Sequence, residues 1–443
     1  MKFFPFAFLA LSFFIFNFPP TALAQDDIPL DLKRARGIEM LEAVHRDLKK
    51  EYYDPSFRGI DIEKSFRAAR AAIKQAQRSG QINAIIAQFL LDLDDSHTYF
   101  LPADRAGFVE YGVSFRMVGE RCIISFVKNG SDAEKKGVKV GDVVYAIETF
   151  EPTRDSLWKI RYFYNTLSPQ SVLRLVFQGD DGKLTEKQIE ARYVSWEQYE
   201  KELSERKKRP KRNVSECHKL DDISVCRLRT FLVEESVINK MMDAVAGSKS
   251  LVLDLRGNGG GYVKTLAHLV GYFFDREIKI GTEKMRTKQK DEVAVPRKKD
   301  GFAGELIVLV DSSSGSASEV FARVIQLEKR GVVIGDRSSG SVMTSISRTR
   351  ELVNRTGFPI YNYIPYGASI TIADLIMTDG KSLEKVGVIP DKMAIPTPAD
   401  IRAKRDPVMA LAVKELGGSI SADEAGKLYT PDPDEAVEEE DVN

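Results

Sequence analysis

An alternation of short apolar strands with amphipathic helices, between about residues 223 and 394, constrains the fold more than any other feature. The strand SLVLDLR precedes the helical segment YVKTLAHLVGYFF, and the strand ELIVLV precedes the helical segment SEVFARVIQLEKR and then GVVIGD. Buried strands that alternate with amphipathic helices are typical of βαβ units. This part of the chain is therefore predicted to form a layered α/β domain.

The rest of the chain divides into segments that differ in periodicity and charge. Apolar residues at helical spacing precede a stretch with the shorter period of strands and with Gly and Asp turns. A strongly charged stretch then predicts a solvated linker, and the acidic end of the chain predicts a disordered tail. The prediction is an α+β multidomain protein, with a signal peptide at residues 1–24, a helical region at 25–100, a β-rich module at 101–195, a charged linker at 196–222, the layered core at 223–398 and an extension with the acidic tail at 399–443.

The first residues indicate export. Met1 and Lys2 precede the apolar run FFPFAFLALSFFIFNF, and Ala22 and Ala24 form the small-residue pattern of a cleavage site after Ala24. The run is shorter than the about 20 apolar residues of a membrane-spanning helix, although an uncleaved anchor remains an alternative. The mature chain is predicted to be periplasmic or extracellular, with no stable transmembrane span.

Composition excludes several classes of protein. The 65 Lys and Arg residues balance 65 Asp and Glu residues, so no global basic charge attracts nucleic acid. The 3 cysteines are too few for a disulfide framework, although an oxidising compartment permits a bond between Cys217 and Cys226, as an alternative to unpaired buried thiols. With 4 histidines, a multi-histidine metal site is not expected, and no cofactor is predicted.

The turn between an apolar strand and a helix carries the first candidate for chemistry. In DSSSGSASEV, small residues would let the Ser316 hydroxyl stand exposed at a helix N-terminus, whose free N–H groups favour an oxyanion. Ser316 and Glu319 also form the pattern of a capping box, which needs no catalysis to explain it. Ser318 is a second candidate for one of these two roles.

The second candidate is the loop GNGGG, which follows the strand that ends in Asp254 and Arg256. It matches neither the dinucleotide-binding pattern nor a phosphate-binding loop, because Tyr262 and Val263 stand where those motifs require glycine. Its backbone could still approach a ligand closely and direct N–H groups at it. A plain strand-to-helix turn is the alternative.

The third candidate is His97, in the turn DLDDSHTYFLP. Imidazole is the side chain best suited to act as a general base near neutral pH, although simple exposure in an acidic turn is the alternative. His45 and His268 lie within predicted amphipathic helices and are interpreted as core or surface residues. His218 has no obvious partner.

Together these segments resemble the C-terminal processing (tail-specific) serine peptidases and their relatives around the tricorn core protease. The resemblance covers nearly the whole mature chain, through KEYYDP, DDSHTYFLP, DLRGNGGG, GSASEVFARVIQ, GVVIGD and TDGKSLEKVGVIPD in that order. It implies a PDZ-like fold for the β-rich module and a crotonase- or ClpP-like fold for the α/β core. In the PDZ-like module, the implied loop that receives a peptide carboxylate consists of Tyr111, Gly112, Val113, Ser114 and Phe115.

The resemblance also implies a nucleophile and an oxyanion hole. Ser316 would be the nucleophile, and the oxyanion hole would combine the N–H group of Ala317 with that of Gly259 or Gly260. The processing peptidases place a general-base lysine shortly after the serine, but Ser341 occupies that position here. A Ser/Lys dyad is therefore not supported.

The tricorn-like branch implies a different base. It uses a histidine preceded by a serine, together with a glutamate before a Gly-Val-x-Pro-Asp run, and this chain has Ser96, His97 and Glu384 at those places. His97 would accept the proton of Ser316, while Ser96 and Glu384 would orient the imidazole and stabilise its charged form.

The leading hypothesis is an exported serine endopeptidase that binds unfolded or C-terminal peptide segments and hydrolyses them through an acyl-enzyme. The alternative is a catalytically inactive peptidase-fold protein that binds peptides or partner proteins through its PDZ-like module. A small-molecule acyl hydrolase is a third class, which would need a closed pocket in place of a groove.

Overall fold

A computed structural model describes residues 29–102, 107–207, 213–353 and 363–429, so the predicted signal peptide and the acidic tail from Pro431 lie outside it. The helices are α1 (Leu30–Glu51), α2 (Ile62–Gln75), α3 (Ser79–Leu91), α4 (Asp132–Lys135), α5 (Leu157–Arg161), α6 (Trp196–Lys207), α7 (Glu235–Val245), α8 (Val263–Val270), α9 (Ala317–Leu327), α10 (Pro398–Arg402), α11 (Pro407–Glu415) and α12 (Ala422–Ala425). The strands are β1 (Tyr99–Leu101), β2 (Gly107–Glu110), β3 (Val113–Val118), β4 (Arg121–Val127), β5 (Val143–Ile147), β6 (Val172–Gln178), β7 (Leu184–Glu190), β8 (Arg192–Ser195), β9 (Ser215–Leu220), β10 (Ile223–Leu228), β11 (Ser250–Asp254), β12 (Ile278–Met285), β13 (Gln289–Ala294), β14 (Glu305–Val310), β15 (Val332–Gly335), β16 (Met343–Val353), β17 (Tyr363–Met377) and β18 (Lys392–Met393).

Helices α1 to α3 occupy the N-terminal region that the sequence predicts to be helical. Apolar side chains three and four residues apart, such as Leu41, Val44 and Leu48, are buried on one face of α1. They form one hydrophobic cluster with side chains of α2, α3 and β17. Strand β1 pairs antiparallel with β17, with Tyr99 opposite Ser369. The turn that holds His97 is thereby attached to a sheet made mostly from the C-terminal half of the chain.

Strands β3 to β7 form an antiparallel sheet in chain order, at the place of the predicted β-rich module. Helix α5 contributes Leu157 and Ile160 to the core of this sheet. Among the strands of the described residues, β3 pairs with β4 alone and therefore forms an edge of the sheet. Strands β2 and β8 form a separate two-stranded ribbon beside it.

A six-stranded sheet in the order β18-β15-β14-β11-β10-β9 forms the layered core. Its strands run parallel except for the antiparallel pair β9 and β10. Leu251 and Leu253 face a cluster that includes α7, α8 and α9, whereas Val252 faces the side covered by α11. Because both faces are covered, the central strands are apolar throughout. The observed alternation agrees with the α/β layering that the sequence predicts.

Two hairpins interrupt the alternation of strands and helices. Strands β12 and β13 form one hairpin, and β16 and β17 form the other; with β1 they make a second sheet whose strand pairs are antiparallel. Our prediction from sequence had assigned this whole stretch to βαβ layers. The hairpin strands β12, β13 and β16 contain many polar residues, whereas the parallel core strands, which are buried on both faces, are apolar throughout.

The segment predicted as a charged linker, residues 196–222, contains helix α6 and strand β9 in the described structure. Most side chains of α6 are exposed, so the helix lacks the apolar stripe by which a sequence reveals a helix. In β9, Cys217 lies directly opposite Cys226 of β10, and the two form a disulfide. The free Cys122 is buried in β4.

The C-terminal extension packs on the core as far as the structure describes it. Val408 and Met409 of α11 are buried against the six-stranded sheet, in a cluster with Val252. In the described ranges, no helix combines the length and the apolar character that a membrane span requires.

Candidate active site

Ser316 lies at the sharp turn between β14 and α9. It is the N-cap residue of α9 and has φ 50° and ψ −117°, a conformation that is strained for a residue with a side chain. Its N–H group donates to Glu319 Oε2 at 2.9 Å and to the carbonyl oxygen of Ser341 at 3.0 Å. The bond from the N-cap N–H group to the Glu319 carboxylate, one of the two bonds of the predicted capping box, is therefore present. These bonds hold the backbone of Ser316 in its strained conformation and present a half-buried hydroxyl at the helix N-terminus.

Glu319 is the central acceptor of this turn. Its carboxylate is completely buried and accepts hydrogen bonds from Ser316 N at 2.9 Å, Ser338 Oγ at 2.6 Å, Gly340 N at 2.7 Å and Ser341 N at 2.9 Å. Burial raises its pKa to about 7, although the four donors act in the opposite direction. The sequence predicts only a capping role for Glu319. The structure shows that it also fixes the segment that contains Ser341.

The glycine loop lies directly against Ser316. Gly260 has φ 106°, and a β-carbon at this position would lie 2.6 Å from Ser316 Cβ and 3.0 Å from the backbone nitrogen of Ala317. Only glycine allows so close an approach. The N–H group of Gly260 donates to Asn258 Oδ1 at 2.9 Å, so Gly259 is the remaining loop candidate for the oxyanion hole beside Ala317.

Asn258 connects the glycine loop with the serine turn, and sequence analysis had missed it. Its side-chain nitrogen donates to the backbone carbonyl oxygen of Leu228 at 2.9 Å. Its backbone carbonyl oxygen accepts from Gly315 N at 3.0 Å and from Ser318 Oγ at 2.8 Å. Ser318, the fallback nucleophile, is thus occupied in a structural bond. The signal available in the sequence was an amide side chain among four glycines; its complete burial is seen only in the structure.

Ser96, His97 and Glu384 form a hydrogen-bonded network. Ser96 Oγ lies 2.7 Å from His97 Nδ1 and donates to Glu384 Oε2 at 2.8 Å, while Ser96 N donates to Glu384 Oε1 at 2.7 Å. A serine hydroxyl has a single proton, which an ionised Glu384 takes as acceptor. His97 Nδ1 must then carry the hydrogen that is donated to Ser96. The lone pair of the imidazole is consequently on Nε2.

Asp95 positions His97 from the other side. Its buried carboxylate accepts from the backbone N–H groups of His97 at 3.0 Å and Thr98 at 2.7 Å, and also from Thr371 Oγ1 and Tyr52 OH, each at 2.8 Å. The sequence analysis treated Asp95 as part of a polar turn. Its position two residues before His97 is typical of an Asx turn, which was the available signal for this role.

Burial controls the ionisation of the network. It lowers the pKa of His97 below the ordinary value of 6.5, and the nearby Asp95 carboxylate opposes this effect. Burial also raises the pKa of Glu384, against the hydrogen bonds from Ser96 and Val342. His97 is therefore a neutral imidazole near pH 7, which is the form that can accept a proton.

Residues 341 and 342 join this network to the nucleophile. Val342 N donates to Glu384 Oε2 at 3.1 Å, and the carbonyl oxygen of Ser341 accepts from Ser316 N at 3.0 Å. Within the described ranges, no hydrogen bond joins the His97 imidazole to the Ser316 hydroxyl. Lys385, which follows Glu384, directs its ammonium group to Asp94 at 2.9 Å.

The predicted peptide-binding residues lead into the edge strand β3. The hydroxyl of Tyr111 bonds to the backbone of Gln170, donating to its oxygen at 3.0 Å and accepting from its nitrogen at 2.9 Å. Gly112 has φ 69°, and a β-carbon there would lie 2.4 Å from Ser131 Cβ. Val113, Ser114 and Phe115 begin β3, whose outer edge has no strand partner among the described residues.

This module contacts the segments that flank Ser316. Arg154 forms an ion pair with Asp336 at the end of β15, and their side chains are only 8% and 6% exposed. Gly119, in the turn between β3 and β4, donates its N–H to Asp336 Oδ2 at 2.8 Å. Ser312, four residues before Ser316, donates its hydroxyl to the carbonyl oxygen of Met117 in β3. The module and the serine turn are therefore in direct contact.

Comparison with known proteins identifies relatives of this chain. Residues 222–393 match the model of peptidase family S41. The chain is 23% identical over 355 residues to a probable CtpA-like serine protease of Staphylococcus haemolyticus, covering 76% of this chain and 64% of that protein. It is 23% identical over 397 residues to a chloroplastic C-terminal processing peptidase of Tetradesmus obliquus, covering 82% of this chain and 78% of that protein.

The fold has a counterpart among solved structures. The crystal structure of mature CPAF superimposes with a TM-score of 0.62, at 14% identity, covering 84% of this chain and 94% of that chain. At this identity the likeness concerns the fold alone. Together with the sequence matches, it confirms the resemblance to the C-terminal processing peptidases that the motifs predict. Within the described residues, no three or more His, Cys, Asp and Glu side chains are grouped to hold a metal ion.

Proposed function

We propose that the protein is an exported serine endopeptidase, since residues 222–393 match the model of peptidase family S41. It cleaves unfolded or C-terminal peptide segments through an acyl-enzyme. One observation carries the proposal: the strained Ser316 at a helix N-terminus is connected, through residues 341 and 342, to the network of Ser96, His97 and Glu384.

In the proposed reaction, His97 Nε2 accepts the proton of Ser316 Oγ as this oxygen attacks the scissile carbonyl carbon. The C–N bond then breaks, and His97 returns the proton to the leaving amine. Water, deprotonated by the same imidazole, attacks the ester and releases Ser316. Ser96 and Glu384 stabilise the positive charge that forms on His97, and their hydrogen bonds keep the imidazole oriented. This sequence requires substrate binding to bring His97 and Ser316 within hydrogen-bond distance.

The oxyanion of the tetrahedral intermediate is stabilised in this proposal by the N–H group of Ala317, together with that of Gly259. Ala317 is the first residue of α9, so its N–H group has no acceptor inside the helix and lies in the positive field of the helix N-terminus. The close approach of Gly260 brings the loop to this point.

The β-rich module supplies peptide binding in this proposal, with a PDZ-like role for Tyr111–Phe115. An edge strand with free backbone groups accepts an added strand, and a glycine with positive φ lets neighbouring N–H groups converge on a carboxylate. Among the described residues β3 is an edge strand, and Gly112 has φ 69°. The α/β layers would correspondingly form a crotonase- or ClpP-like peptidase core. The Cys217–Cys226 disulfide supports export, since such bonds persist in oxidising compartments.

Fluorophosphonate labelling tests the nucleophile. We expect the wild-type protein to be labelled on Ser316 and the Ser316→Ala variant to show no labelling, as measured by mass spectrometry of the peptide that contains this turn. Ser313→Ala, in the same turn, is the matched control and should label like the wild type. Labelling of Ser316→Ala at the normal level would exclude this serine as the nucleophile. An unlabelled wild-type protein that binds peptides tightly would favour the inactive, peptide-binding alternative.

The pH dependence of labelling tests the base. Because burial lowers the pKa of His97 below 6.5, the imidazole stays neutral above this pH and becomes protonated on acidification. The labelling rate should therefore be constant from about pH 7 to about pH 8.5 and should fall with an apparent pKa below 6.5. The measurement is the second-order labelling rate across this range. A rate that keeps rising above about pH 9 would instead indicate a lysine base.

A further inference from the structure

Two asparagines of this chain directly precede a glycine: Asn129, in the turn between β4 and α4, and Asn258, in the glycine loop. Asparagine before glycine is prone to spontaneous deamidation, because glycine has no β-carbon to shield its backbone nitrogen. We propose that Asn129 is a deamidation site, that the fold protects Asn258, and that the charge gained at position 129 weakens the binding of peptide carboxylates at Tyr111–Phe115. The last part of this inference rests on the proposed function, whereas the first two parts are independent of it.

Deamidation at Asn129 needs only hydroxide and water as co-reactants. Hydroxide removes the proton of Gly130 N, and this nitrogen forms a bond to Asn129 Cγ. The bond between Cγ and Nδ2 breaks, and the departing nitrogen takes a proton from water and leaves as ammonia. Water then opens the succinimide ring at one of its two carbonyl carbons. The product is an aspartyl or isoaspartyl residue, and either carries a carboxylate in place of the neutral amide.

The surroundings of Asn129 permit this reaction. Asn129 and Gly130 are both exposed, and the Asn129 side chain has no hydrogen bond to any part of the chain that the structure describes. Gly130 has φ 76°, and its N–H group donates to the exposed Glu134 carboxylate at 2.7 Å. Water competes with an exposed bond of this kind, and turn residues move on a timescale far shorter than that of deamidation. Gly130 N can therefore approach Asn129 Cγ without unfolding of the module.

Asn258 is held in the opposite way. It is completely buried, its Nδ2 donates to the backbone carbonyl oxygen of Leu228 at 2.9 Å, and its Oδ1 accepts from Gly260 N at 2.9 Å. Rotation of the side chain toward Gly259 N would break both bonds in the interior of the protein. Hydroxide and water also reach a buried loop only when it opens locally. The glycine loop therefore keeps its amide.

The turn at Asn129 lies against the loop that is proposed to receive a peptide carboxylate. Lys128 N donates to the carbonyl oxygen of Gly112 at 2.9 Å, and a β-carbon at Gly112 would lie 2.4 Å from Ser131 Cβ. Both neighbours of this asparagine–glycine pair thus contact Gly112. The Lys128 ammonium group is already paired with Glu110 at 2.7 Å, so its charge is compensated. A carboxylate at position 129 is therefore expected to repel the carboxylate of a bound peptide.

Peptide mapping by mass spectrometry tests the site in the folded protein, kept for days at mildly alkaline pH. The mass increase of an amide converted to an acid should accumulate at Asn129, whereas the rate at Asn258 should be lower by about a hundredfold or more. Isoaspartyl methyltransferase should label the peptide that contains position 129. In denaturant, where burial no longer acts, the two sites should convert at similar rates. An unchanged Asn129, equal rates in the folded protein, or a difference that persists in denaturant would overturn the inference.

Peptide affinity tests the consequence, in a Ser316→Ala background that prevents cleavage. Asn129→Asp reproduces the aspartyl product, and Asn129→Gln is the matched neutral control. For a fluorescent peptide with a free C-terminal carboxylate, Kd at low salt should be about 1.5- to 5-fold higher for Asn129→Asp, the effect of one exposed charge. High salt should remove this difference, and a peptide with an amidated C-terminus should bind both variants equally.

The two measurements fail separately. Equal Kd values of the two variants for the free carboxylate at low salt would overturn the effect on binding, while the mapping result alone decides the deamidation site. A Ser316→Ala protein that does not bind the peptide at all would overturn the proposed peptide-binding role of Tyr111–Phe115, and the effect on binding with it.

Discussion

Replacement of His97 by alanine should lower the rate of fluorophosphonate labelling at Ser316 by about a thousandfold or more. The serine hydroxyl is a weak nucleophile unless a base accepts its proton. The described residues offer His97 for this task, because Ser341 stands where the resemblance predicts a lysine and Lys385 is paired with Asp94. The measurement is the second-order labelling rate, with circular dichroism to show that the variant is folded.

The control for this result is His218→Ala. His218 lies in β9, at the far edge of the six-stranded sheet, and its imidazole pairs with Glu216 at 3.0 Å. This variant should label at the wild-type rate. Unimpaired labelling of the folded His97→Ala protein would show that another group takes the proton, and the Ser/His assignment would have to be abandoned.

Replacement of Glu319 by alanine should destabilise the protein by about 4 kcal/mol or more, the sum expected when four buried donors lose their acceptor. Four donors would lose their acceptor: the backbone N–H groups of Ser316, Gly340 and Ser341 and the hydroxyl of Ser338. Each buried donor left without an acceptor costs about 1–3 kcal/mol. The free energy of unfolding, from denaturant titration, measures the loss.

A surface glutamate provides the comparison. Glu415 at the end of α11 forms an exposed ion pair with Lys392, so Glu415→Ala should cost less than about 1 kcal/mol of the free energy of unfolding.

The pH dependence of stability gives a second check of the role of Glu319. Burial raises the pKa of Glu319 in the folded protein to about 7, above the ordinary 4.5, so its ionisation opposes folding as the pH rises through this window. As the pH rises from about 4.5 to about 7, ionisation of Glu319 should lower the free energy of unfolding of the wild-type protein. Glu319→Ala should not show this decrease. A Glu319→Ala protein as stable as Glu415→Ala would refute the role assigned to this carboxylate.

Local patterns predicted the N-terminal helices and the parallel core strands. Apolar residues at helical spacing predicted α1 to α3, and the alternation after residue 223 predicted the parallel strands of the core, because periodicity records which face of an element is buried. The serine turn and the glycine loop were also visible in the sequence, since small residues and glycine are needed where backbones approach closely.

The charged segment at 196–222 was less informative. It forms α6 and β9, but a helix with exposed polar side chains on most sides carries no apolar stripe, and β9 depends on pairing with β10. The hairpins β12–β13 and β16–β17 differ from the predicted parallel layers, and the polar residues of β12, β13 and β16 are the sequence signal for strands with one solvated face. The partner of each strand is selected only in the tertiary structure.

The sequence predicts the residues of the candidate site through recognisable segments: Ser316, His97 and Glu384, with Ser341 where the resemblance predicts a lysine. The connections between these groups depend on the tertiary structure. Glu384 meets Ser96 from 288 residues away, and Glu319 accepts bonds from residues 19 and more positions later. Hydrogen bonds depend on distances of about 3 Å and on orientation, and such quantities arise from the packing of distant segments, which local composition does not encode.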